Sequence, residues 1–180
     1  IGPWQNSNII TEYKTEVSKI VFRLDAGISS GFGHLSRCLS LADELILNNS
    51  ITFLVKTDSS EKVNNFIRNN LAKSDAIELQ LLNANTVTKD DINIIEDVVN
   101  RKKAFLILDH YSITESYQKD LKDRGIRWFQ FDSHAAQKFY AAVVLHASPG
   151  ASPEVYQSLA ANNDILFLLG PRFAIVNKKF

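Results

Sequence analysis

Residues 23–42 read Arg-Leu-Asp-Ala-Gly-Ile-Ser-Ser-Gly-Phe-Gly-His-Leu-Ser-Arg-Cys-Leu-Ser-Leu-Ala, and most of the chain's reactive side-chain types fall here at useful spacing. The apolar run Ile20 to Leu24 reads as a buried strand. Gly27, Gly31 and Gly33 read as a turn, and the spacing of Leu35, Leu39, Ala42, Leu45 and Ile46 as an amphipathic helix. His34 then stands at a helix N-terminus, where unpaired backbone N–H groups and the positive end of the macrodipole favour an anion and keep an adjacent imidazole neutral. A neutral imidazole accepts a proton from water or a hydroxyl near neutral pH. Arg37, one helical turn on, reaches the same mouth and could orient a carboxylate or phosphate, or could simply cover the helix surface. The three glycines would also suit a turn with positive φ and close packing of helix on strand.

Two further clusters carry similar chemistry. Asp109-His110-Tyr111 follows the apolar Phe105-Leu-Ile-Leu108, and Asp132-Ser133-His134 follows a run that starts at Trp128. Ligands of parallel α/β sheets bind at the carboxyl ends of the strands, so three clusters at strand ends, led by Asp25, Asp109 and Asp132, point to one edge. A buried Asp109 needs partners, from loop amides or a neighbouring imidazole. His134 and His146 fit either a direct role or strand-end polar positions with satisfied hydrogen bonds. Cys38, inside the helical pattern, reads as a small core residue.

The elements that must position these groups alternate. Strand patterns fall at 19–25, 51–56, 77–82, 104–109, 128–132, 142–145 and 165–169, and helical patterns at 33–48, 60–70, 89–100, 115–124 and 153–160. Asp90, Asp91 and Glu115 put acids in first turns, and Gly125 suits a helix C-terminus. This alternation predicts an α/β three-layer sandwich on a mainly parallel, Rossmann-like sheet. With 180 residues, 45% of them hydrophobic, one domain over 18–180 is expected, preceded by a tag, linker or peripheral arm over 1–17. The absence of methionine suggests that the chain does not begin at a native start.

Composition and missing motifs exclude several classes. Lys and Arg total 20, as do Asp and Glu, which removes the electrostatic warrant for nucleic-acid or membrane-surface binding. One cysteine allows no internal disulfide, no apolar run approaches the roughly 20 residues of a membrane span, and the opening lacks signal-peptide character; a soluble, cytoplasmic protein is expected. The order Gly31-Phe-Gly33-His-Leu-Ser36 lacks the third glycine of a dinucleotide fingerprint, although Asp58 could imitate the acid that holds a ribose. No Gly-Lys-Ser/Thr follows the glycines, no Gly-x-Ser-x-Gly elbow occurs, and no His or Cys spacing suits zinc. Neither a metal nor a cofactor is expected.

At Arg23-x-Asp25, Gly31-x-Gly33-His34-x-x-Arg37-Cys38-x-x-Leu41-Ala42, Leu108-Asp109-His110-Tyr111 and Leu169-Gly170-Pro171-Arg172-Phe173-Ala174, with Tyr156 between, the chain resembles the N-terminal domain of the UDP-sugar hydrolases of pseudaminic acid biosynthesis, members of the GT-B glycosyltransferase superfamily. The resemblance covers about residues 19–180. It implies the N-terminal half of a GT-B fold and metal-free, inverting hydrolysis of the C1–O bond of a UDP-linked acetamido-deoxysugar. His34 would position or deprotonate the attacking water. Arg23, Asp25, Gly31, Gly33, Arg37, Asp109, His110, Tyr111 and Asp132 would contact substrate. Family members often carry Asp-Asp where this chain has Asp132-Ser133. The resemblance also implies a C-terminal nucleotide-binding domain as partner, beyond the stretch given by this chain. A glycosyltransferase of the same superfamily and a non-catalytic binding module that kept the fold are the alternatives.

Overall fold

A strand buried on both faces needs a continuous apolar run, and the centre of the chain's sheet is built from such runs. The computed structural model describes residues 18–71 and 76–176; the expectation for residues 1–17 lies outside them. Seven strands form: β1 (Ser18–Asp25), β2 (Asn49–Thr57), β3 (Ile77–Asn83), β4 (Phe105–Asp109), β5 (Trp128–Phe131), β6 (Val143–His146) and β7 (Leu166–Leu169). They make one sheet in the order β3-β2-β1-β4-β5-β6-β7, and every neighbouring pair is parallel rather than most of them.

Alternate residues of β1 serve two cores. Phe22 and Leu24 face α1 (Gly33–Leu45) and α2 (Ser60–Asn70), where Phe22 stacks on Phe53 with centroids 4.9 Å apart. Val21 faces the opposite layer of α3 (Thr88–Lys102), α4 (Glu115–Asp123) and α5 (Pro153–Ser158), among Ile92, Ile95, Leu121 and Trp128. The architecture is therefore a three-layer, Rossmann-like α/β sandwich. No helix among the described residues is long and apolar enough to cross a membrane.

Element ends follow local chemistry. Helix α1 stops at Leu45, three residues before the expected end, because Asn48 N–H and the Asn49 side-chain amide both donate to the Leu45 carbonyl. That closure lets β2 begin at Asn49. Helix α4 starts on Thr114, whose hydroxyl accepts from Tyr117 N–H at 3.2 Å, and Gly125 follows it with φ +72°.

One polar group lies within the α3 face of β1. Arg23 is 2% exposed and was expected to contact substrate; instead its guanidinium is paired inside the fold. It donates to Asp91 of α3 at 2.6 Å, to Asp25 at 2.7 Å and to the Leu24 carbonyl at 2.6 Å. Tyr117 of α4 donates to the second oxygen of Asp91 at 2.9 Å. Burial opposes the charge on Arg23, but Asp91 and Asp25 outweigh it and hold the guanidinium protonated above its ordinary range. Removing one partner of such a buried pair leaves the other uncompensated. Arg23→Ala is accordingly expected to lower the unfolding free energy by about 3–5 kcal/mol, read by urea denaturation, while R23M combined with D91L restores most of the loss.

Candidate functional site

Strand order reverses between β1 and β4: the chain winds outward from β1 through β2 to β3, then returns through α3 to β4 on the other side of β1. The loops after β1 and β4 therefore part company and leave a crevice at the carboxyl edge, where open α/β sheets bind ligands. His34 follows β1, and Asp109, His110 and Tyr111 end β4.

The loop from β1 to α1 is shaped by Asp58 at the end of β2. Asp58 accepts from Ile28 N–H at 2.7 Å, Ser29 N–H at 3.0 Å and the Ser29 hydroxyl, and these donors hold its carboxyl below the usual carboxylate range. A Cβ on Gly27 would lie 2.1 Å from Asp58 Oδ1, so only glycine lets the loop pass this carboxylate. Gly31, at φ +72°, pairs back to Gly27 across an isolated bridge. Asp58 thus staples the loop, and its oxygens are not directed at a ribose.

Helix α1 opens with no side-chain cap on its first turn, and Ser36 N–H makes the first helical bond back to Phe32. His34 is buried, with Tyr111 edge-on at 4.5 Å between centroids. Its Nε2 lies 3.9 Å from Asp109 Oδ1, beyond hydrogen-bond length, and its Nδ1 has no partner among the described residues. Asp109 is held instead by Arg37, which donates from Nε at 2.9 Å and Nη2 at 2.5 Å in a bidentate pair. The same guanidinium packs over the Phe131 ring at 4.4 Å. Burial opposes the Arg37 charge, but Asp109 raises it overall. Cys38 lies beneath with Sγ 3.5 Å from Asp109; burial and that carboxylate push its thiol well up, so it behaves as the core residue expected.

His110 points to the opposite face of the sheet. It is buried, packs edge-on against Tyr117 at 5.2 Å, and neither ring nitrogen has a partner among the described residues. Burial first, and the charge of Arg23 second, hold it well below its ordinary range, so it is neutral. Past β5, Asp132 accepts from His134 N–H at 3.0 Å and Ala135 N–H at 2.9 Å, which turns the chain. The following loop is pinned by Gln137 to the Ile113 carbonyl and by Gln118 to the Lys138 carbonyl.

These groups enclose a cavity of about 210 Å³ lined by His34, Arg37, Asp109, His110, Tyr111 and Asp132, together with Gln130, Phe131 and His134. Six of the ten residues singled out from the sequence thus meet in one place. Asp25 does not; it pairs with Arg23 and lines a separate hollow of about 140 Å³ with Ser29, Lys56 and Asp58. Gly31 and Gly33 are set back from the cavity wall, and a Cβ on either would meet open space. Phe131, which stacks on Arg37, was not singled out from the sequence. His146 stood open between a direct role and a strand-end polar position, and Tyr156 entered only with the resemblance; behind Asp132 the imidazole and the hydroxyl meet at 2.6 Å. No group of three His, Cys, Asp or Glu among the described residues is arranged to hold a metal ion.

Fold and site together define a Rossmann-like domain with a polar crevice at its switch point. No known protein family matches the chain. It is similar to uncharacterized protein MJ1062 of Methanocaldococcus jannaschii, with 28% identity over 163 residues that make up 90% of this chain and 31% of that protein. The chain thus spans about a third of the length of this relative.

The neutral state of His110 has a consequence for stability. The unfolded chain takes up a proton on this residue below about pH 6.5, while the folded chain does not, so the stabilising contribution is complete above that pH and is lost as pH falls. Urea denaturation at pH 7.5 and 5.5 is expected to show a fall in unfolding free energy that is smaller by about 1 kcal/mol in His110→Leu than in the wild type.

Proposed function

We propose that this domain forms one wall of the cleft of a nucleotide-sugar-processing enzyme that hydrolyses the C1–O bond of a UDP-linked acetamido-deoxysugar, of the kind used for nonulosonic acids or surface glycans. A second nucleotide-binding domain supplies the opposite wall. The observation that carries the reading is the meeting of His34, at the uncapped start of α1, with the Arg37–Asp109 pair across the β1/β4 switch point.

Three physical consequences support it. An anionic diphosphate finds free amides at the helix start. Arg37 takes both oxygens of Asp109, so the carboxylate is balanced without His34 and the imidazole is available to accept a proton from water. UDP departs with little acid assistance, so one base can drive an inverting attack, in which water enters opposite the leaving group and gives its proton to His34. Asp109 orients Arg37 at the cavity wall, and His110, Tyr111 and Asp132 face the sugar.

The full-length protein, incubated with UDP-linked acetamido sugars and no acceptor, is expected to release UDP. His34→Ala slows that release by about 10²–10⁴-fold. UDP release that needs an added sugar acceptor would convert the reading to a glycosyltransferase, and unchanged turnover in the His34→Ala variant would remove the imidazole from the mechanism.

A further inference from the structure

Asp132 is held from one side only. Its Oδ2 accepts from two backbone amides, those of His134 and Ala135, and also from the Tyr156 hydroxyl at 2.5 Å. Oδ1 has no protein partner among the described residues, although Asp132 lines the cavity. Closing the turn after β5 needs the two amides alone. The third donor comes from α5 and adds nothing to that turn.

Tyr156 is itself fixed. Its ring is 1% exposed, stacked on Phe139 at 5.4 Å and edge-on to Phe167 at 5.6 Å. Its oxygen also lies 2.6 Å from His146 Nδ1. A phenol has one proton, and with that proton given to Asp132 the oxygen must accept from His146, so Nδ1 carries the imidazole hydrogen. The array runs from His146 Nδ1–H to Tyr156 O–H to Asp132 Oδ2 and links the ends of β6 and β5 through α5. Serial bonds of this kind polarise one another.

His110, which borders the same cavity, is neutral and buried with neither ring nitrogen partnered among the described residues, an arrangement that costs stability. A neutral imidazole offers one donor and one acceptor. We propose that Tyr156 and His146 are positioning residues that fix Asp132 so that Oδ1 is a single directed acceptor for an O–H or N–H donor of a sugar in this cavity. The ligand class rests on the reading of the cavity as the sugar side of the cleft; the brace does not.

N-acetylglucosamine, which carries both donor types but no diphosphate, is the probe, and calorimetry on the full-length protein is the readout. Tyr156→Phe, which keeps the ring packing, and His146→Leu are each expected to weaken binding about tenfold, the effect of losing one hydrogen bond of about 1.4 kcal/mol. His146→Asn, whose side-chain amide can donate where Nδ1–H does, should bind as the wild type does, which a merely structural role would not produce. In 15N spectra of histidine-labelled protein, His146 is expected as the Nδ1–H form. Wild-type affinity in Tyr156→Phe or His146→Leu, an Nε2–H form of His146, or no binding of the probe by the wild type would each overturn the proposal. Should Tyr156→Phe fail to fold, the two His146 variants decide. Because the probe has no bond to UDP, its binding stands or falls apart from the UDP-release assay.

Discussion

The guanidinium of Arg23 is the interaction on which the arrangement of the sheet's carboxyl edge depends. A charge in an interior strand of a parallel sheet, covered on both faces, must bring its counter-ions with it. Asp91 comes from α3, the helix that carries the chain from one edge of the sheet back to its middle, and Tyr117 comes from α4. The ion pair therefore docks the crossover helix against the strand from which both halves of the sheet wind. That reversal creates the crevice, and the buried positive charge beneath it helps keep His110 neutral.

Three aspartates at this edge show how environment divides labour among identical side chains. Asp58 uses both oxygens to shape a loop. Asp109 uses both to hold Arg37 flat over Phe131, which sets one wall of the cavity. Asp132 concentrates three donors on one oxygen and leaves the other to the cavity. The distinction lies in where the donors sit: flanking loops for Asp58, one rigid fork for Asp109, and a turn plus a buried phenol for Asp132.

The strands were legible because Val, Ile, Leu and Phe dominate runs such as Ile20 to Leu24 and Phe105 to Leu108, and the period changes sharply where helices begin. His34 and Asp109 were legible for a related reason: a parallel sheet delivers its strand ends to one edge, so position along the chain implied position in space. Partners distant in sequence were not legible. Asp91 read as a first-turn acid suited to the macrodipole, and nothing nearby announced that it is 3% exposed and bound to Arg23. Arg23, correspondingly, stood as a substrate contact through the resemblance alone, while the carboxylate that claims it lies far along the chain in α3. Asp58 fitted the spacing of a ribose-binding acid, yet the amides of Ile28 and Ser29 claim it. The brace behind Asp132 joins residues from three elements and has no local pattern at all.

The place of β1 in the sheet also sets the order in which the protein can assemble. Its register pairs Ile20 with Ile51 on one side and with Phe105 on the other, and the second pairing spans nearly half of the chain. Loop closure on that scale is entropically slow, and parallel pairing offers no hairpin to nucleate it. The first three strands and their helices can associate early, but until β4 arrives, one edge of β1 stays open. The crevice and the folding bottleneck thus share one seam, so His34 and Asp109 can meet only when the slowest contacts have formed.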